Sequence, residues 1–128
     1  MKTANAIILR LVAFQTNLLL AHWQADTLTN THKVLGDLYE TVSGKVDALA
    51  EVSMGKDNDR EFPEEAFEVA PNMPLNELLM FGMGVLASFR ATCTPGEDDD
   101  LLNISADISA AVNRTRYFLR IAPVTERN

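Results

Sequence analysis

The sequence predicts an all-α protein, a single four-helix bundle with one long connection between its second and third helices. Three observations lead there. Apolar residues recur at three- and four-residue steps through four separate stretches, at 4–24, 30–54, 74–93 and 97–121. Short polar or Pro/Gly segments divide the first stretch from the second and the third from the fourth, which makes each of those pairs antiparallel neighbours. The segment 55–73 is too long and too charged for such a turn, and long enough to carry the chain back along the bundle. With 128 residues, 47% of them hydrophobic, the chain forms one domain (1–128) with a core of ordinary composition.

Each element has its own signature. In the first helix Ile7, Leu11, Phe14, Leu18 and His22 fall on one stripe, and Ile8, Val12, Leu19 and Trp23 add a second beside it. An apolar surface that wide predicts burial on two sides, by the bundle and by a partner. Asp26, Thr29 and Asn30 offer N-caps for the second helix. That helix buries Val34, Leu35, Leu38, Val42, Val46, Leu49 and Val52, and Gly55 is its expected C-cap. Its interior glycines, Gly36 and Gly44, each cost up to about 1 kcal/mol relative to Ala and allow another helix to approach.

In the long connection, Phe62 and Phe67 are expected to hold the chain down, and Pro63–Phe67 to form one helical turn. The third helix starts near Pro74 and presents Leu75, Leu78, Leu79, Gly82, Val85, Leu86 and Phe89 to the core. Thr94-Pro95-Gly96 ends it. The fourth opens on Glu97–Asp100, carries Arg114, Arg116 and Arg120 toward its end, and so places each sign where the helix dipole favours it. Its inner face runs Leu101, Ile104, Ile108, Ala111, Thr115, Phe118 and Leu119.

The net charge of −7 argues against a sequence-independent grip on nucleic acid, which needs Lys and Arg against phosphates. It suits attraction of cations. One cysteine, Cys93, excludes an intrachain disulfide and a cysteine-rich zinc module. Arg10, Gln15 and Asn17 interrupt the N-terminal apolar run, so it reads as a buried helix of a soluble, cytoplasmic protein rather than a signal or membrane segment.

The chemistry concentrates in 22–51, which holds both histidines, the single tryptophan and two carboxylates one turn apart, Asp47 and Glu51. His22 and His32 flank the first turn and can meet there. Asp47 lies fifteen residues beyond His32, roughly 22 Å along a helix, too far for one metal ion. The halves join only if a second subunit packs antiparallel about a twofold axis, giving two equivalent sites. Two imidazoles and two carboxylates form a mixed site acceptable to Fe(II), Mn(II) and Zn(II). Asp26, Asp37 and Glu40 could form an outer shell, and Trp23 belongs to the core or to a dimer interface.

The connectivity is that of ferritin-like bundles, and the residues His22-Trp23, His32 and Asp47-x-x-x-Glu51 resemble the Dps family, the miniferritins. The resemblance covers roughly residues 20–55. It implies iron bound between twofold-related subunits, oxidised from Fe(II) to Fe(III) by peroxide or oxygen, and stored inside a twelve-subunit shell. The chain departs from that pattern in several ways, its 128 residues being fewer than typical members have. The two histidines are two residues closer, the basic DNA-binding tail is absent, and Gly36 stands where relatives place a further acid. The pattern also resembles small ferritin-like proteins encoded by phages, which would put the protein in the host cytoplasm. The competing expectation is a non-enzymatic oligomer on the same fold.

Overall fold

A computed structural model describes residues 3–64 and 69–120. Among the described residues the protein is all-helical: α1 (Thr3–Gln24), α2 (Asn30–Asp57), α3 (Leu75–Arg90) and α4 (Asp99–Leu119), with no strand. α1 packs on α2 and α3, and α4 packs on the same two. The backbones of α1 and α4 do not approach closely, nor do those of α2 and α3, so the helices form a four-membered ring in cross-section.

The apolar stripes read from the sequence form one core. Leu11, Phe14 and Leu18 of α1 meet Leu35, Val42 and Leu49 of α2, Leu79, Leu86 and Phe89 of α3, and Ile108 and Val112 of α4, all fully buried. Each such Leu or Phe contributes about 1.5–3 kcal/mol by leaving water. The α3 face matches its expected residues from Leu78 to Phe89, with Leu75 at its edge. Gly82 lies under the Phe14 ring, where an added Cβ would fall well inside contact distance of the ring carbons. The small residue is what lets α1 and α3 close on one another. On α4, Phe118 is 52% exposed and leaves the expected inner face.

Caps set the helix ends. Thr29 accepts the His32 N–H at 3.3 Å and opens α2. α2 runs through Gly55 to a left-handed C-cap at Asn58 (φ 52°), whose N–H donates to the Met54 carbonyl at 2.7 Å. Gly55 is therefore not the cap: Asn also tolerates that conformation, and the helix gains three residues over its expected end. α3 stops at Arg90, ahead of Thr94-Pro95-Gly96.

At the C-terminal end of α2, Lys56 bridges to Asp100 at 2.9 Å, Asp98 at 3.4 Å and the Glu97 carbonyl at 2.7 Å, tying α2 to the start of α4. The Thr94 backbone N–H, followed by Lys56, holds the Asp98 carboxyl below its ordinary value. Lys56, followed by the Leu101 N–H, does the same for Asp100.

α1 also anchors the described parts of the 58–74 connection. The buried Asn5 amide donates to the carbonyls of Asp59 (3.2 Å) and Glu61 (2.7 Å). Farther along α1, Asn17 accepts the Ala70 N–H at 2.7 Å, and Gln24 donates to Asn72 at 3.3 Å. Phe62 lies against the α1/α2 groove. Pro63 and Glu64 are not helical; the rest of the expected turn, Glu65–Phe67, lies outside the described residues. Ala4–Gln24 is long and apolar enough to cross a membrane by length and composition, and half of its most apolar window is buried inside the bundle.

Candidate functional site

α1 and α2 run antiparallel, and the turn between them is built to bring His22 and His32 together. The Asp26 side chain accepts the Leu28 N–H at 3.0 Å. The Asp26 carbonyl accepts the Thr29 N–H at 2.9 Å and the Thr29 hydroxyl at 2.6 Å. With the turn so fixed, the two imidazoles stack with centroids 4.0 Å apart and planes inclined by 26°. Each reaches across to the other's backbone: His22 Nδ1 bonds the His32 carbonyl at 2.7 Å, and His32 Nδ1 bonds the His22 carbonyl at 2.8 Å.

These reciprocal bonds determine which nitrogen is available. A carbonyl oxygen can only accept, so each Nδ1 must carry a proton. In the neutral ring the lone pair then sits on Nε2. Such an Nδ1–H to carbonyl bond is the usual way a protein orients a ligating histidine.

Stacking sets a second constraint. An imidazole lone pair lies in its ring plane, and a metal–nitrogen bond is about 2.0–2.1 Å long. Rings stacked face to face at 4.0 Å cannot both direct in-plane lone pairs at one ion. The Nδ1 bonds leave the Nε2 of each ring unused.

Gly36 makes the stack possible. A Cβ at this position would stand 2.7 Å from His22 Cε1 and 3.0 Å from Nδ1, inside contact distance. The His22 ring therefore rests on bare α2 backbone. The sequence signal for this was present, since Gly36 follows His32 by one helical turn, but nothing in the sequence said that the space would be filled by a ring from α1. The recess around the pair is completed by Leu19, Trp23, Lys33, Asp37, Tyr39 and Glu40. Trp23 is 65% exposed, which removes it from the core of the protomer. Asp37 is engaged by Lys33 at 3.0 Å.

Asp47 and Glu51 lie farther along α2, apart from the histidines. Asp47 lines a separate groove between α1 and α2 with Ile8, Val12, Gln15, Ser43, Gly44 and Phe62. Both carboxylates are exposed, and neither has a hydrogen-bond or ion-pair partner among the described residues. The structure thus brings His22 and His32 together and keeps Asp47 and Glu51 elsewhere on the same helix pair. Among the described residues no group of three or more His, Cys, Asp or Glu side chains converges in one protomer. Cys93 is half-buried, its thiol directed at the Phe89 carbonyl at 3.6 Å.

No family model matches the chain, and no curated protein or solved structure matches it either.

Proposed function

We propose that the protein is a ferritin-like, Dps-like homo-oligomer that binds iron at a site shared between two twofold-related subunits and oxidises it there. The observation that carries this reading is the reciprocal Nδ1–carbonyl pairing of His22 and His32, which leaves both Nε2 atoms unused in a pair that lines an open recess. Asp47 and Glu51 of the partner subunit would supply the anionic ligands. Both are exposed and unengaged on α2, and Asp47 lines the α1/α2 groove.

The fold assignment has its own support. Consecutive helices α2 and α3 stand diagonally across the bundle. The chain between them is anchored to α1 first at Asn5 and later at Asn17 and Gln24. A connection anchored to α1 in this order supports a crossover between parallel α2 and α3.

Fe(II) is the substrate. Because stacked rings cannot share one ion, each imidazole would hold an ion of its own, with the partner's Asp47 and Glu51 as the anionic ligands. Zn(II) or Mn(II) suits the same donors. The oligomer is built on twofold dimers, up to the twelve-subunit shell that the Dps resemblance implies, in the cytoplasm, with no membrane and no DNA partner.

The test is anaerobic Fe(II) titration followed by peroxide or oxygen. The wild type is expected to develop ferric absorbance, and His32→Ala and Asp47→Ala each to lose it. A mixture of the two variants should recover part of the signal, because half of the sites in a mixed dimer join an intact His32 to an intact Asp47. A silent wild type, or variants that bind as well as it does, would overturn the reading. A second reading draws on the same bonds. Two rings that satisfy each other's backbone form a complete latch between α1 and α2 without any ion, as in a non-enzymatic oligomer of this fold, and a silent wild type of unchanged solution mass would establish it.

A further inference from the structure

The two ends of the bundle differ in their balance of charge, and one of them exposes the larger share of apolar side chains. α2 and α4 are antiparallel, as the Lys45–Asp107 bridge at 3.1 Å and the Lys56–Asp100 bridge at 2.9 Å require. The last turn of α4 therefore stands beside the first turn of α2, where Phe118, Arg114, Asn30 and Lys33 line a common cleft. At that end Leu28 is 94% exposed, Tyr117 76% and Phe118 52%, with Arg114, Arg116 and Arg120 in the same last turns of α4 and its cap. At the opposite end, the finish of α2 and the start of α4 gather Glu61, Glu64, Glu97 and Asp99, all exposed, with Phe62 among them at 40% exposure. Lys56 there is committed to Asp98 and Asp100.

The helix dipole accounts for the order of charges along α4. It does not account for Leu28, Tyr117 and Phe118 all being exposed at one end. Exposed apolar groups rimmed by charge mark an interaction surface. Arg and Tyr are the residue types that interfaces favour. In a protein of net charge −7, the acidic surface that complements this basic aromatic end is present on every other copy of the chain.

We propose that the Leu28/Tyr117/Phe118 end, with Arg114, Arg116 and Arg120, docks on the Glu61/Glu97 end of a second copy. The contact joins unlike surfaces, so it repeats head to tail. It adjoins the recess of the proposed iron site, with which it shares Lys33, but needs no ion and does not rest on that reading. Steered by charge, it weakens as salt rises.

Charge reversal with mixing tests it, read by sedimentation velocity at low and at high salt. Arg114→Glu/Arg116→Glu and, separately, Glu61→Arg/Glu97→Arg are each expected to lose every species larger than the one the wild type keeps at high salt. An equimolar mixture is expected to regain the large species, since the intact acidic end of one variant fits the intact basic end of the other and their two reversed ends are again opposite in charge. Circular dichroism and thermal melting check that both variants are folded, and Phe118→Ser supplies a variant of unreversed charge that should also lose the large species. The proposal is overturned if the wild type shows no salt-sensitive assembly, if the reversed variants assemble as it does, or if the mixture fails to recover. None of these changes touches His22, His32, Asp47 or Glu51, so iron binding by the variants reports separately on the iron site.

Discussion

Gly82 and Gly36 do the same thing in two parts of the molecule: each is a helical glycine lying under a ring from α1. Above Gly82 the ring is Phe14, fully buried in hydrocarbon. Above Gly36 it is His22, half-buried and held by polar bonds on both sides of the stack. A missing Cβ at Gly82 serves packing alone. At Gly36 it serves the placement of a chemically active side chain. The two sites should therefore answer the same substitution differently.

The largest response is expected at the core. Gly82→Ala forces a Cβ into Phe14, whose ring has no room to withdraw. Overpacking of this kind costs about 1–3 kcal/mol, and the better helix propensity of Ala returns up to about 1 kcal/mol. A net loss of about 1–2 kcal/mol should appear in urea unfolding as a lower midpoint at unchanged slope. Combining it with Phe14→Leu should cost less than the sum of the two single changes, because the smaller side chain relieves the overlap. Full additivity would mean that the two residues do not press on one another.

How far each region could be read from the sequence follows from the same contrast. The Gly82 contact was legible because the apolar period of α3 places Gly82 between Leu79, Val85 and Leu86 on one buried stripe. The pairing of His22 with His32 was legible from the short turn between them. The role of Gly36 was not, because a glycine in a helix looks the same whether it faces water, a ring or an absent ligand. Only the tertiary approach of α1 distinguishes these cases. Trp23 and Phe118 fall on apolar periods yet stand exposed, since periodicity reports a face and not where the facing surface ends. The Lys56 bridge to Asp98 and Asp100 joins residues more than forty positions apart, and no local pattern announces it.

At the second glycine the effect on stability should be smaller and the effect on the site larger. Gly36→Ala pushes the His22 ring off α2. The ring can swing toward solvent, because it is only half-buried. Its hydrogen bond to the His32 carbonyl, worth about 1 kcal/mol net, is lost, and helix propensity offsets most of that. The melting temperature should move little. The Nδ1-protonated signature of His22, read by nitrogen NMR, should disappear, and iron affinity should fall if the proposed site is right. A variant that keeps the His22 signature would show that the backbone yields instead of the ring, and that the cradle does not fix the imidazole.

The smallest expected change is at Gly44, the other interior glycine of α2, and it separates the protomer from the dimer. A Cβ there meets nothing within 4 Å in the protomer. In an isolated chain Gly44→Ala should therefore raise stability by up to about 1 kcal/mol, a gain of a few degrees. Yet Gly44 lies in the same α1/α2 groove as Asp47, on the face assigned to the twofold partner. If a second α2 approaches there closely enough to bring Asp47 and Glu51 to its histidines, the added methyl group stands between the helices. The variant should then melt higher at low protein concentration and dimerise more weakly at high concentration. Opposite signs in the two measurements are the mark of a glycine kept for a partner. A protomer and a dimer that both gain would place the partner on another face, and would leave Asp47 and Glu51 without a route to His22 and His32.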